Sequence, residues 1–116
     1  MATSEQRVSR RLPVSLFVNQ EYNDRQQRLC MSLDLSKNGM TVISLARNEP
    51  SAQGNHAWLR FWLPGCPKPI HALGEVVHRQ KDEELSLERT GMRFKFLFPD
   101  QRRMLESYLS ECGSVA

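Results

Sequence analysis

A short polar turn, residues 34–39, carries the side chains best suited to bind a ligand. Its sequence is DLSKNG, and it lies between two apolar segments. Gly39 and, less easily, Asn38 tolerate a positive φ, so these two residues suffice to reverse the chain. The carboxylate of Asp34 and the hydroxyl of Ser36 are not needed for that reversal. Because side chains two residues apart point to the same side of an extended segment, these two groups predict a small hydrogen-bonding site.

A cluster of arginines near the N-terminus supplies the opposite charge. Arg7, Arg10 and Arg11 lie in residues 1–11, a polar segment that predicts a flexible arm. Guanidinium groups bind phosphate oxygens and the O6/N7 edge of guanine, and they stack on bases. On its own, a basic arm is also typical of a solvated terminus. Together with the turn, it predicts a site for one anionic ligand that carries a purine base.

Length and composition restrict the class of protein. The chain has 116 residues and a formal charge of +3, which indicates one small domain with a mild excess of positive charge. This excess suits an anionic ligand but is too weak to indicate a general nucleic-acid binder. Neither an export signal nor an apolar run of roughly 20 residues occurs, so we expect a cytoplasmic protein. Cys30, Cys66 and Cys112 have no paired spacing, which predicts reduced thiols.

Alternating hydrophobicity predicts a mainly β protein with about six strands and one helix. In the second strand, residues 29, 31, 33 and 35 are expected to share one face, as are residues 92, 94, 96 and 98 in the last. Gly74 predicts a bulge. Strands with one apolar face must close or pair with another sheet, which predicts a small antiparallel β-barrel over residues 12–98.

The C-terminal segment, residues 99–113, is the stretch with helical spacing. Asp100 is expected to cap its N-terminus, and Gly113 to end it. Its apolar stripe consists of Met104, Leu105, Tyr108, Leu109 and Cys112. We expect this stripe to pack against one opening of the barrel.

Other constellations do not support metal binding or catalysis. The three histidines have no zinc-site spacing. The turn matches the first half of an EF-hand loop, but Leu45 occupies the twelfth position, where a bidentate Glu is required. No nucleophile elbow, Cys–His pattern or Gly-rich phosphate loop occurs. We therefore expect no enzyme, no metal and no cofactor other than a bound ligand.

Four motifs occur in an order that points to one family. Arg7-x-x-x-Arg11 precedes Leu-Pro-Val, and 22 residues separate Arg11 from Asp34-x-Ser36-x-x-Gly39. Residues 74–77 (GEVV) and 91–94 (GMRF) are similar to the family's Gly-x-Val-Val and Gly-Ile-Arg-Phe strands. Across nearly its whole length, the chain resembles the PilZ domain, the bacterial receptor module for cyclic di-GMP. The resemblance implies a single PilZ-type β-barrel domain over residues 5–113.

The resemblance also implies the roles of the motif residues. Arg7 and Arg11 would clamp guanine edges and phosphates of cyclic di-GMP, and Asp34 and Ser36 would bind a guanine. Gly39 would permit the tight turn that brings the backbone against the ligand.

Two further positions are candidates by the same resemblance. Arg10 is adjacent to the motif, and His78 falls about where some members stack an aromatic residue on a base. An ordinary strand residue is the alternative for His78. Gln6 replaces the arginine that several members carry, which leaves open whether one ligand or a stacked pair binds.

The implied function is a receptor that relays the second-messenger signal to a partner protein when ligand orders residues 1–11. Regulation of motility, exopolysaccharide output or virulence is compatible with the family. One alternative is a PilZ-like scaffold that binds a protein and not the dinucleotide. Another is a small-barrel nucleic-acid binder, which Trp58, Arg60 and Trp62 suggest, although the first interpretation implies no DNA or RNA.

Overall fold

The computed structural model describes residues 11–22, 27–45 and 55–113. Within them lie β1 (Leu12–Pro13), β2 (Phe17–Tyr22), β3 (Gln27–Leu35), β4 (Gly39–Leu45), β5 (His56–Phe61), β6 (Ile70–Asp82), β7 (Leu87–Leu97) and the helix α1 (Pro99–Gly113). The predicted mainly β fold with one C-terminal helix is confirmed.

The strands form one antiparallel sheet that closes on itself. Its order is β1-β3-β2-β5-β6-β7-β4, and β4 also pairs with β3, which joins the two ends. Closure pairs the edges that an open sheet would expose. The predicted six-stranded antiparallel barrel is therefore confirmed, and the two-residue β1 is an addition to it.

A buried serine bridges the gap between β1 and β2, which pair with different halves of β3. The hydroxyl of Ser32 donates to the carbonyl of Val14 (2.6 Å) and accepts from the N–H of Leu16 (2.8 Å). These bonds satisfy backbone groups where the ladder is interrupted. Residues 12 and 13 thereby stay paired with residues 35 and 34, the first two residues of the polar turn.

The inward faces of the strands fill the barrel. The alternation predicted for β5 is confirmed, because residues 57, 59, 61 and 63 are buried and residues 58, 60 and 62 are exposed. One buried amide is satisfied inside the core. Gln20 donates to Sδ of Met92 (3.2 Å) and accepts from the thiol of Cys30 (3.2 Å).

The predicted face of β3 is wrong at its start. Leu29 is 70% exposed, whereas Cys30 and Ser32 are buried. The pairing with β4 then shifts register, which leaves Leu33 without a partner in that ladder and returns Leu35 to the interior. One extra residue reverses the two faces of a strand, so a continuous alternation could not place both halves correctly.

The predicted face of β7 is wrong at its end for the same reason. The ladder between β6 and β7 shifts beside Gly74, so Lys95 has no partner there. Phe94, which precedes the unpaired residue, is buried. Phe96, which follows it, is 42% exposed, and Leu97 is buried in its place. The sheet is irregular beside Gly74, as the prediction of a bend or bulge there requires, but the extra residue lies on β7 and not on β6.

The helix α1 packs against the barrel beside β1 and β6. Leu105 is fully buried, and the predicted stripe contributes Met104, Tyr108 and Leu109 to the same packing. Pro99 occupies the first helical position, so Asp100 lies in the first turn, where a carboxylate favours the helix dipole, rather than at the N-cap.

Candidate ligand-binding site

The polar turn after β3 is held together by Ser36. Its hydroxyl accepts from the N–H groups of Asn38 and Gly39 (3.2 Å each) and donates to the carbonyl of Gly39 (3.3 Å). The N–H of Ser36 donates to the same carbonyl at 2.8 Å. The residue is 1% exposed. In this structure the hydroxyl therefore stabilises the turn.

Gly39 is required by a close approach of two strands. A Cβ built on this residue would lie 2.1 Å from the carbonyl oxygen of Met92 on β7. Among the described residues, positive φ angles occur at Ser86 and Gly65 and not at Gly39. The conformational reason predicted for this glycine is thus wrong, and the steric reason replaces it.

The carboxylate of Asp34 is fixed by its neighbours at the register shift in β3. Its Oδ1 accepts from the N–H of Thr41 (3.1 Å) and from the guanidinium of Arg11 (2.6 Å). The side chain is 25% exposed. None of the described residues donates to Oδ2.

Arg11 lies against the turn, and its contacts with the other described residues involve one nitrogen. One nitrogen, Nη1, binds Asp34 and lies 3.5 Å from the hydroxyl of Thr41. The side chain is 48% exposed. Pairing of β1 with β3 places Arg11 here. The predicted residues Arg7 and Arg10 lie outside the described residues.

A row of outward-facing residues extends from Asp34 across the barrel. The register pairs Asp34 with Thr41, Thr41 with Gly91, and Gly91 with His78. Directly paired residues share a face, so this row spans three strand spacings, about 14 Å. A Cβ on Gly91 would make only ordinary contacts, 3.6 Å to His78 and 3.7 Å to Val77. Packing does not require a glycine here, and the row lacks a side chain at this position, which we call the Gly91 shelf.

The adjacent row carries charges that compensate each other. Arg93, opposite Gly39, donates to Glu75 at 2.5 Å, and Lys95 lies 4.0 Å from the same carboxylate. The hydrogen bond from Arg93, and then the charge of Lys95, hold the pKa of Glu75 below its ordinary value. Arg93 is 58% exposed, which leaves part of its guanidinium accessible beside the shelf.

The part of the chain that the structure describes contains no side-chain arrangement that matches a catalytic or a metal site. No group of three His, Cys, Asp or Glu side chains there could hold a metal ion. Burial raises the pKa of the Cys30 thiol to about 11, so this sulfur is protonated at neutral pH and inert as a nucleophile. No helix of the described residues is long and apolar enough to cross a membrane.

The fold brings together several residues that the sequence indicated. Arg11, Asp34, Ser36 and Gly39 meet at one hairpin, and His78 lies on the same row three strands away. Thr41 was missed, although it contacts both charged side chains. Its position follows from the register of the β3–β4 hairpin, which is altered by the bulge and is therefore not readable from alternation.

These features define a small closed-barrel domain whose polar residues gather at one hairpin and one exposed row. A family model of the PilZ domain matches residues 5–111. The chain belongs to the PilZ domain family.

Solved structures share this fold at low sequence identity. The inhibitor of motility MotI/DgrA of Bacillus subtilis has a TM-score of 0.70 and 18% identity over 90% of this chain and 50% of that chain. YcgR of Escherichia coli, in complex with cyclic di-GMP, has a TM-score of 0.64 and 16% identity over 91% of this chain and 45% of that chain. The chain thus spans about half the length of these two proteins.

A further similar structure is of comparable size. The PilZ domain of CeSA from a cellulose-synthesizing bacterium has a TM-score of 0.62 and 16% identity over 85% of this chain and 97% of that domain. No curated protein sequence matches the chain.

Proposed function

We propose that this protein is a cyclic di-GMP receptor that relays the signal to a partner protein. The observation that carries the proposal is the contact between Arg11 and Asp34, which the fold assembles on the outer surface beside the Gly91 shelf. Membership of the PilZ family and the bound dinucleotide in the similar YcgR support this class of ligand.

The geometry suggests an exchange of partners at Asp34. Guanine presents two adjacent N–H donors on its Watson–Crick edge, and a carboxylate can accept both. Oδ1 of Asp34 accepts from Arg11, whereas none of the described residues donates to Oδ2. When guanine takes the carboxylate, Arg11 is released to donate to a phosphate or to the O6/N7 edge, where charge-assisted bonds are strong.

The remaining candidate residues extend this site. The base lies on the Gly91 shelf, with His78 at the far end of the row in position to stack, and Arg93 contributes positive charge along the edge. Arg7 and Arg10 add phosphate or guanine contacts as residues 1–11 close over the ligand. Ser36 acts through the turn that positions Asp34, because its hydroxyl is already bonded within that turn.

Titration calorimetry with cyclic di-GMP tests the proposal. Arg11→Ala removes a charge-assisted contact worth about 1.5–3 kcal/mol, so the Kd should rise on the order of ten- to a hundredfold. Asp34→Asn keeps the shape but removes the charge and replaces one acceptor oxygen with an NH2 donor, and it should weaken binding similarly. Arg103→Ala, at an exposed arginine on α1, is the matched control and should bind normally.

Two results would contradict the assignment. Equal affinity of the wild type and Arg11→Ala would show that Arg11 is not part of the clamp. A folded wild-type protein that binds no cyclic di-GMP would select the protein-binding scaffold instead.

A further inference from the structure

The barrel concentrates its exposed apolar side chains on one side. Of the eight large hydrophobic residues that are exposed in the described part of the chain, six lie on β2, β3, β5 and β7 or directly after β5 and β7. We call this set the aromatic face; its members are Phe17, Leu29, Trp58, Trp62, Phe96 and Phe98. Scattered apolar residues on a surface are ordinary, but a contiguous group indicates a site of association.

The strand register places Trp58, Phe96 and Leu29 on two adjacent outer rows of the barrel. One row runs from Glu21 through Trp58 and Leu73 to Phe96. The next row runs Leu29, Asn19, Arg60, His71. The ligand row at Asp34 and His78 uses other parts of β3, β6 and β7, so the two surfaces are separate.

Contacts between rings hold the aromatic face in place. Phe96 and Phe98 meet edge to face with centroids 5.0 Å apart. The guanidinium of Arg60 lies 5.0 Å from the centre of the Trp62 ring. Side chains fixed in this way lose little entropy on association, and Trp and Arg are enriched among residues that dominate binding energy.

Among the described residues, two charged groups on this face have no partner of opposite charge. Arg60 makes no ion pair with any described residue, and Glu21 accepts only a 3.5 Å bond from Gln27. The two lie diagonally on neighbouring strands, about 7–8 Å apart, yet Arg60 leans away over Trp62. The aromatic face therefore carries a cation and an anion side by side, neither of which forms an ion pair within the described part of the chain.

The pair of charges formed by Arg60 and Glu21 is complementary to the same pair on a second copy of the chain. A two-fold axis between Arg60 and Glu21 places each guanidinium opposite the carboxylate of a second copy, and the surrounding apolar side chains meet. Their exposed area is roughly 600 Å², which with the polar rim approaches the about 800 Å² per partner of a stable interface. We propose that the aromatic face is the interface of a symmetric homodimer of this chain.

A nucleic-acid platform fits the same face less well. Base stacking needs a free ring face and a phosphate-attracting surround. Arg60 covers one face of Trp62, and the carboxylate of Glu21 lies directly opposite Trp58. A protein surface tolerates both features.

Sedimentation velocity of the whole chain, over roughly 1–100 µM, tests the dimer. The wild type should sediment at twice the 13.4 kDa monomer mass. Arg60→Glu or Glu21→Arg places like charges opposite each other and should weaken the dimer at least about tenfold. The double variant, with the charges exchanged, should restore it to within about threefold, because the cross-subunit pair is re-formed. Arg89→Glu, with the same charge change on the other side of the barrel, should leave it intact.

Several outcomes overturn the proposal. A wild type that stays monomeric at the highest concentration excludes the dimer. A dimer that both single variants leave unchanged lies on another surface. Failure of the double variant to recover, with an unchanged circular dichroism melt, excludes the Arg60–Glu21 contact. Fluorescence-anisotropy binding of a single-stranded oligonucleotide that Arg60→Glu abolishes would assign the face to nucleic acid.

Discussion

Gly39 and Gly91 lie close together on the barrel surface, and alanine should separate their roles. At Gly39 the added Cβ falls 2.1 Å from the carbonyl oxygen of Met92, so β4 and β7 must part by about 1.3 Å to reach ordinary contact. That movement disrupts the 2.7 Å bond from the N–H of Phe94 to the carbonyl of Asn38. Strain and unsatisfied backbone groups together should lower the free energy of unfolding by about 3–5 kcal/mol.

The Gly91→Ala variant should behave in the opposite way. Its methyl group meets only contacts of 3.6 Å and 3.7 Å, and alanine suits a strand slightly better than glycine, so stability should be unchanged or slightly higher. The methyl group nevertheless rises from the Gly91 shelf and should weaken cyclic di-GMP binding about tenfold.

Thermal unfolding and calorimetry on the two variants distinguish these effects. Gly39→Ala should melt about 10–20 °C below the wild type. A Gly39→Ala protein that melts within about 2 °C of the wild type would refute the steric argument. Wild-type affinity in Gly91→Ala would show that the shelf does not carry the ligand.

Two further predictions concern the interior. Ser32→Ala leaves the N–H of Leu16 without its side-chain acceptor and should lower the free energy of unfolding by about 1–3 kcal/mol in urea titrations. An unchanged free energy of unfolding would show that the bridge between β1 and β2 is dispensable. Burial raises the Cys30 pKa from 9.0 to about 11, so the stability that the buried thiol contributes is complete below pH 9 and is lost as pH rises towards 11. Urea titrations should show a decline in the free energy of unfolding over this window that is smaller in Cys30→Ala. Equal declines in the two proteins would contradict the link between Cys30 and this loss of stability.

The sequence predicted the barrel because period-two alternation holds wherever a strand is regular. β5 is such a strand, and its inward and outward residues were placed correctly from Ala57 to Leu63. In β3 and β7, the unpaired residues Leu33 and Lys95 shift the ladder, and the faces reverse beyond them. A bulge depends on the partner strand, so its position is not contained in the pattern of one segment.

The candidate site was predictable where the residues are close in sequence. Asp34, Ser36 and Gly39 were placed at one turn, but the local hydrogen bonds of Ser36 and the approach of Met92 to Gly39 depend on tertiary contacts. The placement of Thr41 and the Gly91 shelf beside Asp34 could be predicted only from the register of three strands, β3, β4 and β7. The exposure of Trp58 and Trp62 followed from alternation, whereas that of Phe96 came from a bulge.

The brevity of β1 has a mechanical consequence. Only Leu12 and Pro13 separate the Arg11 side chain from the break in the ladder, and β1 touches α1. The guanidinium of Arg102 on α1 also lies 3.5 Å from the carbonyl of Lys37 in the turn. The helix thus contacts both β1, which follows Arg11, and the polar turn. A fluorescent reporter on the exposed side of α1 would therefore sense a movement of β1 or of the turn.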